Sequence, residues 1–278
     1  MSKGLADQTT LKLPKGITLK NRGTTGLRVS HLLSHGSGKV IPYIKTQAKN
    51  YGKYIPEIWD CEDYCFLAAS DVRYAFQGTP VGVVLGSKKV KGKDEDHAVI
   101  VLWFEKDIGN GKKEWENEYF DPTFPNDNPV TGFTPYVVIP IPPSGSLNHY
   151  EYPPFEGFRF LEDAAFVLDE IGSYKFDLID AAKDTLIKWK DEGYPGEGRF
   201  IDSTYYSYND QVFRWFSLIR KEHKGAPIGA ALGRYNEAEY GALIIWKSIR
   251  QFKYWDIFEG VEFAEEEYPD FKPRVVIV

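Results

Sequence analysis

The sequence predicts an α+β fold, in which one helix packs on an antiparallel sheet and a mainly helical segment follows. Apolar residues recur at helical spacing from Cys61 to Ala75, which predicts the first of these helices. Two strand-like runs, 97–104 and 114–120, flank a Gly-Asn-Gly turn and predict an antiparallel hairpin. From Leu161 onward apolar residues mainly recur at spacings of three and four, which predicts further helices.

Changes in composition divide the 278 residues into three segments. Residues 1–36 are polar and form an N-terminal arm, residues 37–150 form the α+β core, and residues 151–278 form the extension. In the arm, His31 and His35 are four residues apart, so they could share a helix face as metal ligands. Because no Cys or acidic residue is close in sequence, we interpret them as solvated loop histidines.

Composition and charge exclude several classes of function. The net charge is −6, with Lys and Arg spread along the chain, which argues against a nucleic-acid-binding protein. The longest apolar run, 98–104, is too short to cross a bilayer, and the first residues lack the apolar stretch of a signal peptide. We therefore expect a cytoplasmic protein with no membrane partner. The two cysteines, Cys61 and Cys65, form no disulfide framework.

Within the core, residues 39–58 predict a short helix and a turn, and a second helix begins at Cys61. Asp60 is a plausible N-cap for this helix, and Asp63 resembles the second residue of a capping box. The first turn of a helix favours an anion, which can lower the pKa of a thiol there. Cys61 is therefore the candidate nucleophile, whereas Cys65 falls on the apolar side and is assigned to the core.

Gly78 ends this helix, residues 81–85 predict a buried strand, and residues 88–96 predict a charged surface loop. His97 then begins a run that is apolar on both faces, as in a central, covered strand. A turn centred near Gly109 would place Asp121, at the end of the return strand, directly opposite His97 with Cβ atoms roughly 5 Å apart. We therefore predict a hydrogen bond between the imidazole of His97 and the carboxylate of Asp121.

The remainder of the chain reads as one edge strand, a proline-rich connection and four helices. The predicted edge strand is 136–141. The predicted helices are 161–171, 176–189, 211–222 and 236–250. Residues 274–278 predict a last strand.

Cys, His and Asp in this order are the groups that thiol-based acyl transfer needs. A thiolate attacks a carbonyl, an imidazole transfers the proton, and a carboxylate orients the imidazole. Each residue also has a structural interpretation: Cys61 and His97 as buried core residues, and Asp121 as a turn residue before a proline. A zinc site of Cys61, Cys65 and His97 is a further alternative, although no fourth ligand is evident.

The order of these motifs resembles the transglutaminase-like branch of the papain-fold cysteine enzymes. The motifs are Cys-Glu-Asp-Tyr at 61–64, Gly-Thr-Pro-Val-Gly-Val-Val-Leu-Gly at 78–86, His-Ala-Val at 97–99 and Tyr-Phe-Asp-Pro-Thr at 119–123. The sequence is also similar to the protease domain of a mushroom chimeric lectin. This resemblance implies a papain-like or transglutaminase-like core with a triad of Cys61, His97 and Asp121.

The resemblance also implies a cysteine-dependent amide hydrolase, a peptidase or isopeptidase, that acts on a protein or peptide substrate through a thioester on Cys61. Transglutaminase-type acyl transfer to an amine is one alternative. A catalytically silent binding or structural protein with the same fold is another. The thiol chemistry requires no cofactor, and the sequence leaves the oligomeric state open.

Two features of the predicted site remain to be assigned. Asp60, Glu62 and Asp63 crowd the nucleophile, and their negative charge would oppose a thiolate. Either a neighbouring cation offsets this charge or the three carboxylates bind Ca²⁺, on which the similar lectin protease depends. For the oxyanion hole, the backbone N–H of the nucleophile is the first donor, and the side chains of Trp59 and Gln47 are both candidates for the second.

Overall fold

The structure is a computed structural model that describes residues 36–90, 92–128, 130–141, 159–160, 164–166, 174–195, 197, 206–235, 238–248, 251–264 and 271–277. Its helices are α1 (Ser37–Ala48), α2 (Cys61–Ala75), α3 (Ile179–Glu192) and α4 (Tyr208–Glu222). Its strands are β1 (Val81–Val90), β2 (Lys93–Gly109), β3 (Lys112–Phe120), β4 (Phe133–Ile141), β5 (Arg159–Phe160), β6 (Ala164–Phe166), β7 (Ile228–Tyr235), β8 (Ala238–Ser248), β9 (Gln251–Asp256), β10 (Val261–Phe263) and β11 (Lys272–Ile277).

The strands form two sheets, of five and six strands. Their orders are β3-β2-β1-β4-β5 and β10-β9-β8-β7-β11-β6. Neighbouring strands are antiparallel, except for the parallel pairs β4–β5 and β6–β11. The predicted α+β class is therefore confirmed.

The two sheets are joined through the packing of α2 against α4. α2 packs on β1 and β2 of the first sheet, α4 packs on β7 and β8 of the second, and the two helices contact each other. Both contribute to one large core cluster. No helix in the described part of the chain is long and apolar enough to cross a membrane.

β2 is covered on both faces, as its apolar run predicts. Ala98 and Ile100 belong to the core that contains α2, whereas Val99 and Val101 belong to a smaller cluster with Trp103. Side chains alternate between the faces of a strand, so these two clusters lie on opposite sides of the first sheet.

The prediction of a mainly helical extension is wrong. The helices predicted at 176–189 and 211–222 are confirmed as α3 and α4, but the helix predicted at 236–250 is the strand β8. In β8, Ala242 and Ile244 face one cluster and Leu243 and Ile245 the other. A run that is apolar on both faces cannot be distinguished from a buried helix by periodicity, which explains the error.

Four smaller predictions have mixed outcomes. Of the helix predicted at 161–171, residues 164–166 are the strand β6, and the remainder lies outside the described residues. The predicted last strand is confirmed as β11. The predicted edge strand exists as β4, but it lies inside the sheet, between β1 and β5. The predicted loop at 88–96 is mostly strand, since β1 and β2 continue to a turn at Gly92, where φ is 81°.

The first segment of the chain is only partly described. The predicted arm, with His31 and His35, lies outside the described residues apart from Gly36, which precedes α1. The short helix predicted within 39–58 is confirmed as α1, which contains Pro42.

Candidate functional site

Cys61 is the first residue of α2, and Asp60 is its N-cap, as predicted. The Asp60 carboxyl accepts a hydrogen bond of 3.2 Å from the backbone N–H of Glu62. Cys61 is 7% exposed, and its Sγ donates a hydrogen bond of 2.9 Å to Oε2 of Glu62. The thiol therefore lies at the helix start in contact with a carboxylate.

The surroundings of Cys61 favour the neutral thiol. Burial, together with the neighbouring carboxyl groups of Glu62 and Asp60, raises the pKa of Cys61 well above its usual range. Burial and the neighbouring Glu62 carboxyl also raise the pKa of Asp60 to about 9. Asp60 therefore holds a proton at neutral pH. The two carboxyl groups outweigh the stabilisation that the helix dipole gives to an anion at this end.

The sequence suggested that Asp63 completes a capping box. Instead, Asp63 forms an ion pair with Arg220 of α4. Nε and Nη2 of Arg220 donate to the two carboxylate oxygens of Asp63 at 2.6 and 3.1 Å, and both side chains are buried. The Arg220 charge also opposes the upward shift in the pKa of Asp60. Arg220 is thus the neighbouring cation that the sequence analysis proposed without identifying the residue.

The predicted hydrogen bond between His97 and Asp121 is confirmed. Nε2 of His97 lies 2.8 Å from Oδ2 of Asp121, which also accepts a bond of 3.0 Å from Nζ of Lys88. The other oxygen, Oδ1, accepts the backbone N–H groups of Thr123 and Phe124. Burial raises the pKa of Asp121, but the hydrogen bonds from His97 and Lys88 outweigh it, and the net shift is downward.

The register predicted for this pair is wrong by two residues. β2 and β3 pair Ile100 with Phe120, so Asp121 follows the strand rather than standing opposite His97. The hairpin turn lies at Asn110 and Gly111, beyond its predicted centre at Gly109, and a bulge between Asp107 and Gly109 changes the register by one residue beside it. A two-residue shift keeps both side chains on the same face, and diagonal neighbours remain within reach of each other.

Cys61 and His97 bond to different partners. Within the described residues, the thiol bonds to Glu62 and the imidazole to Asp121, and no hydrogen bond joins the two. His97 alternates along β2 with Ala98, which packs in the core with α2. The Cβ of His97 therefore points toward the opposite face of the sheet. The predicted site residues form two separate pairs.

The candidates for the second oxyanion donor differ in their surroundings. The indole Nε1 of Trp59 donates to the backbone carbonyl of Tyr51 at 3.1 Å, and Trp59 is buried. Its N–H is therefore already engaged in holding the loop before α2. Gln47 is half-buried on α1, and its role stays a prediction.

The predicted metal ligands are only partly assembled. The ligand atoms of Asp60, Cys61 and Glu62 lie within 4.8 Å of one another, but Asp63 is held by Arg220. Ca²⁺ takes six to eight oxygen ligands, so two carboxyl groups and a thiol fit it poorly. The described residues include no group that joins Cys61 and His97 within ligand distance, so the zinc alternative is not assembled either.

The resemblance described in the sequence analysis rests on the motifs of this chain alone, because comparison with known proteins adds no match. No protein-family model, no curated protein and no solved structure matches this chain.

Proposed function

We propose that this chain is a cysteine-dependent amide hydrolase, a peptidase or isopeptidase, with Cys61 as its nucleophile. The observation that carries the proposal is the position of Cys61 at the start of α2, the helix end at which backbone N–H groups and the dipole favour an anion. Sγ would attack an amide carbonyl, lose its proton to a base and form a thioester as the amine leaves with that proton. Water would then release the acid and restore the thiol.

His97 and Asp121 are the proposed acid–base pair. Asp121 holds one ring nitrogen of His97 at 2.8 Å, which is the role of a carboxylate in a triad. Because the thiol bonds to Glu62 instead, turnover through this pair requires the first turn of α2 to release Cys61 and both groups to approach each other. Release of the thioester to an amine instead of water would make the same site a transamidase.

A second candidate, a catalytically silent protein with this fold, is favoured by a different observation. Cys61 is kept as a neutral thiol by burial and by Glu62, and His97 bonds to Asp121 rather than to the thiol. A silent protein would show no acylation of Cys61 above that of an ordinary buried thiol. The two candidates therefore differ in a measurable rate.

The test is reaction of the folded protein with iodoacetamide and with p-nitrophenyl acetate, followed by peptide mass spectrometry. An enzyme should be acylated at Cys61 before Cys65, which is fully buried. Cys61→Ser should abolish turnover of the ester, and Cys65→Ala should not. Preferential modification of Cys65, or ester turnover that survives in Cys61→Ser, would contradict the proposal.

The role of the acid–base pair is tested by Asp121→Asn, which is nearly isosteric. If Asp121 orients His97, this variant should keep the fold and lose turnover by up to several orders of magnitude, by analogy with serine triads. The far-ultraviolet circular dichroism spectrum controls for folding. Unchanged turnover and an unchanged rate of alkylation from pH 5 to 9 would leave Asp121 as a turn residue.

A further inference from the structure

Four aromatic side chains surround the start of α2 and form what we call the aromatic collar: Tyr51, Tyr54, Trp59 and Tyr64. Tyr64 is at its centre, with its ring centroid 5.7 Å from Tyr51, 6.2 Å from Tyr54 and 5.8 Å from Trp59. Three members are buried, whereas Tyr54 is 40% exposed. Tyr54 is thus the member of the collar that solvent, and any substrate, can reach.

The polar groups of the collar are engaged with one exception. The three buried members donate hydrogen bonds: Tyr51 Oη to Asp71 at 2.6 Å, Trp59 Nε1 to the Tyr51 carbonyl at 3.1 Å, and Tyr64 Oη to the Gly52 carbonyl at 2.7 Å. The hydroxyl of Tyr54 has no hydrogen-bond partner among the residues that the structure describes. Its donor is therefore available to a bound molecule.

The position of Tyr54 relates this free donor to the nucleophile. The ring of Tyr54 packs against Tyr64, which is one helical turn from Cys61 on the same side of α2. Burial, and then the ionisable groups of Cys61, Asp60 and Glu62 nearby, raises the pKa of Tyr54 above its usual range. The phenol therefore stays protonated near neutral pH, as a hydrogen-bond donor must.

We propose that Tyr54 is a catalytic residue whose hydroxyl donates a hydrogen bond to the oxyanion that forms when Cys61 attacks a carbonyl carbon. The inference rests on the proposed function and supplies the second donor that the sequence placed on Trp59 or Gln47. The backbone N–H of Cys61, at the first position of α2, is the other donor. A neutral phenol suits this role because it can donate without adding a charge beside the two carboxyl groups.

The experiment compares two reagents on the same thiol. p-Nitrophenyl acetate acylates Cys61 through a tetrahedral oxyanion, whereas iodoacetamide alkylates it by direct displacement and forms no oxyanion. Tyr54→Phe keeps the ring and removes the donor. Loss of one oxyanion donor lowers the rate by roughly 10²–10³-fold in known cases, so we expect a loss of this order in acylation and no change in alkylation.

The matched control is Tyr136→Phe, since Tyr136 is a 43% exposed tyrosine on β4. It should alter neither rate. An equal loss with both reagents would show that Tyr54 supports the thiol or the fold, and unchanged acylation would show that it donates nothing; either result overturns the inference. If wild-type protein is acylated no faster than Cys61→Ser, the proposed function fails and this inference falls with it.

Discussion

The buried and half-buried carboxyl groups on and around α2 fall into two sets with different neutralising partners. Each carboxylate of the first set, at the α2–α4 contact, forms an ion pair with a buried arginine: Asp63 with Arg220, Asp71 with Arg214, and Asp210 with Arg73. The carboxyl groups of the second set, Asp60 and Glu62 at the helix start, interact with Cys61 and with each other instead.

The difference shows two solutions to the same physical problem. A charge removed from water needs either a partner or a proton. Along the helix contact, buried arginines supply the partner as an opposite charge. At the helix start the proton is retained, which is why the pKa of Asp60 rises to about 9. The first set supports the packing of the two helices, and the second controls the protonation of the thiol.

The largest effect is expected from breaking an arginine pair. Arg73→Met leaves Asp210 buried and unpaired, which should lower the free energy of unfolding by about 3–5 kcal/mol. Urea titration followed by circular dichroism measures it. The double variant Arg73→Met, Asp210→Asn should recover part of the loss, because the Asn amide oxygen can still accept the backbone N–H of Ser207, the N-cap of α4. A loss of under about 1 kcal/mol in the single variant would place this pair with weak surface pairs.

The next effect concerns pH and Asp60. Its folded pKa of about 9 lies above the unfolded value of about 3.9, so the folded state holds a proton that the unfolded chain releases. Stability from this group should therefore fall as pH rises from 4 to 9. Asp60→Asn keeps an N-cap acceptor and should raise the free energy of unfolding at pH 8 by roughly 1–3 kcal/mol.

The control for this pH effect is Asp127→Asn, at an exposed position outside the helices and strands. It should show the wild-type pH dependence. Equal stability of Asp60→Asn and wild type at both pH 5 and pH 8 would remove the contrast between the two sets.

A smaller effect is expected at the thiol. Glu62→Gln removes the charge that most opposes the Cys61 thiolate, so the pKa of Cys61 should fall toward its usual range. Each unit of decrease raises the thiolate fraction, and with it the alkylation rate near neutral pH, about tenfold. Iodoacetamide kinetics measure it, with Glu116→Gln on β3 as the control. A slower reaction in Glu62→Gln would mean that Glu62 activates the thiol as its base.

The smallest effect is expected from a surface pair. Lys106 and Glu116 form an ion pair between β2 and β3 and are both exposed. Because water and salt screen such pairs, Lys106→Ala should leave the urea midpoint within the scatter of repeated titrations. A shift as large as that of Arg73→Met would show that burial does not separate the strong pairs from the weak ones.

Features with local causes could be predicted from the sequence. The start of α2 follows from an N-cap aspartate before an apolar helical face, and the β2–β3 hairpin follows from its glycine-rich turn. The bond between His97 and Asp121 was predicted although the register was not, because a two-residue shift leaves both on one face.

The sequence by itself therefore determined where α2 begins and that the imidazole of His97 and the carboxylate of Asp121 lie on one strand face. The tertiary structure decided the rest. β8 is a strand because β7 and β9 flank it, and Asp63 is neutralised by Arg220, far along the chain. Which residues of β2 pack against α2 likewise depends on which face of β2 the helix covers. Such pairings join residues that no local pattern relates, so only packing of the whole chain can select them.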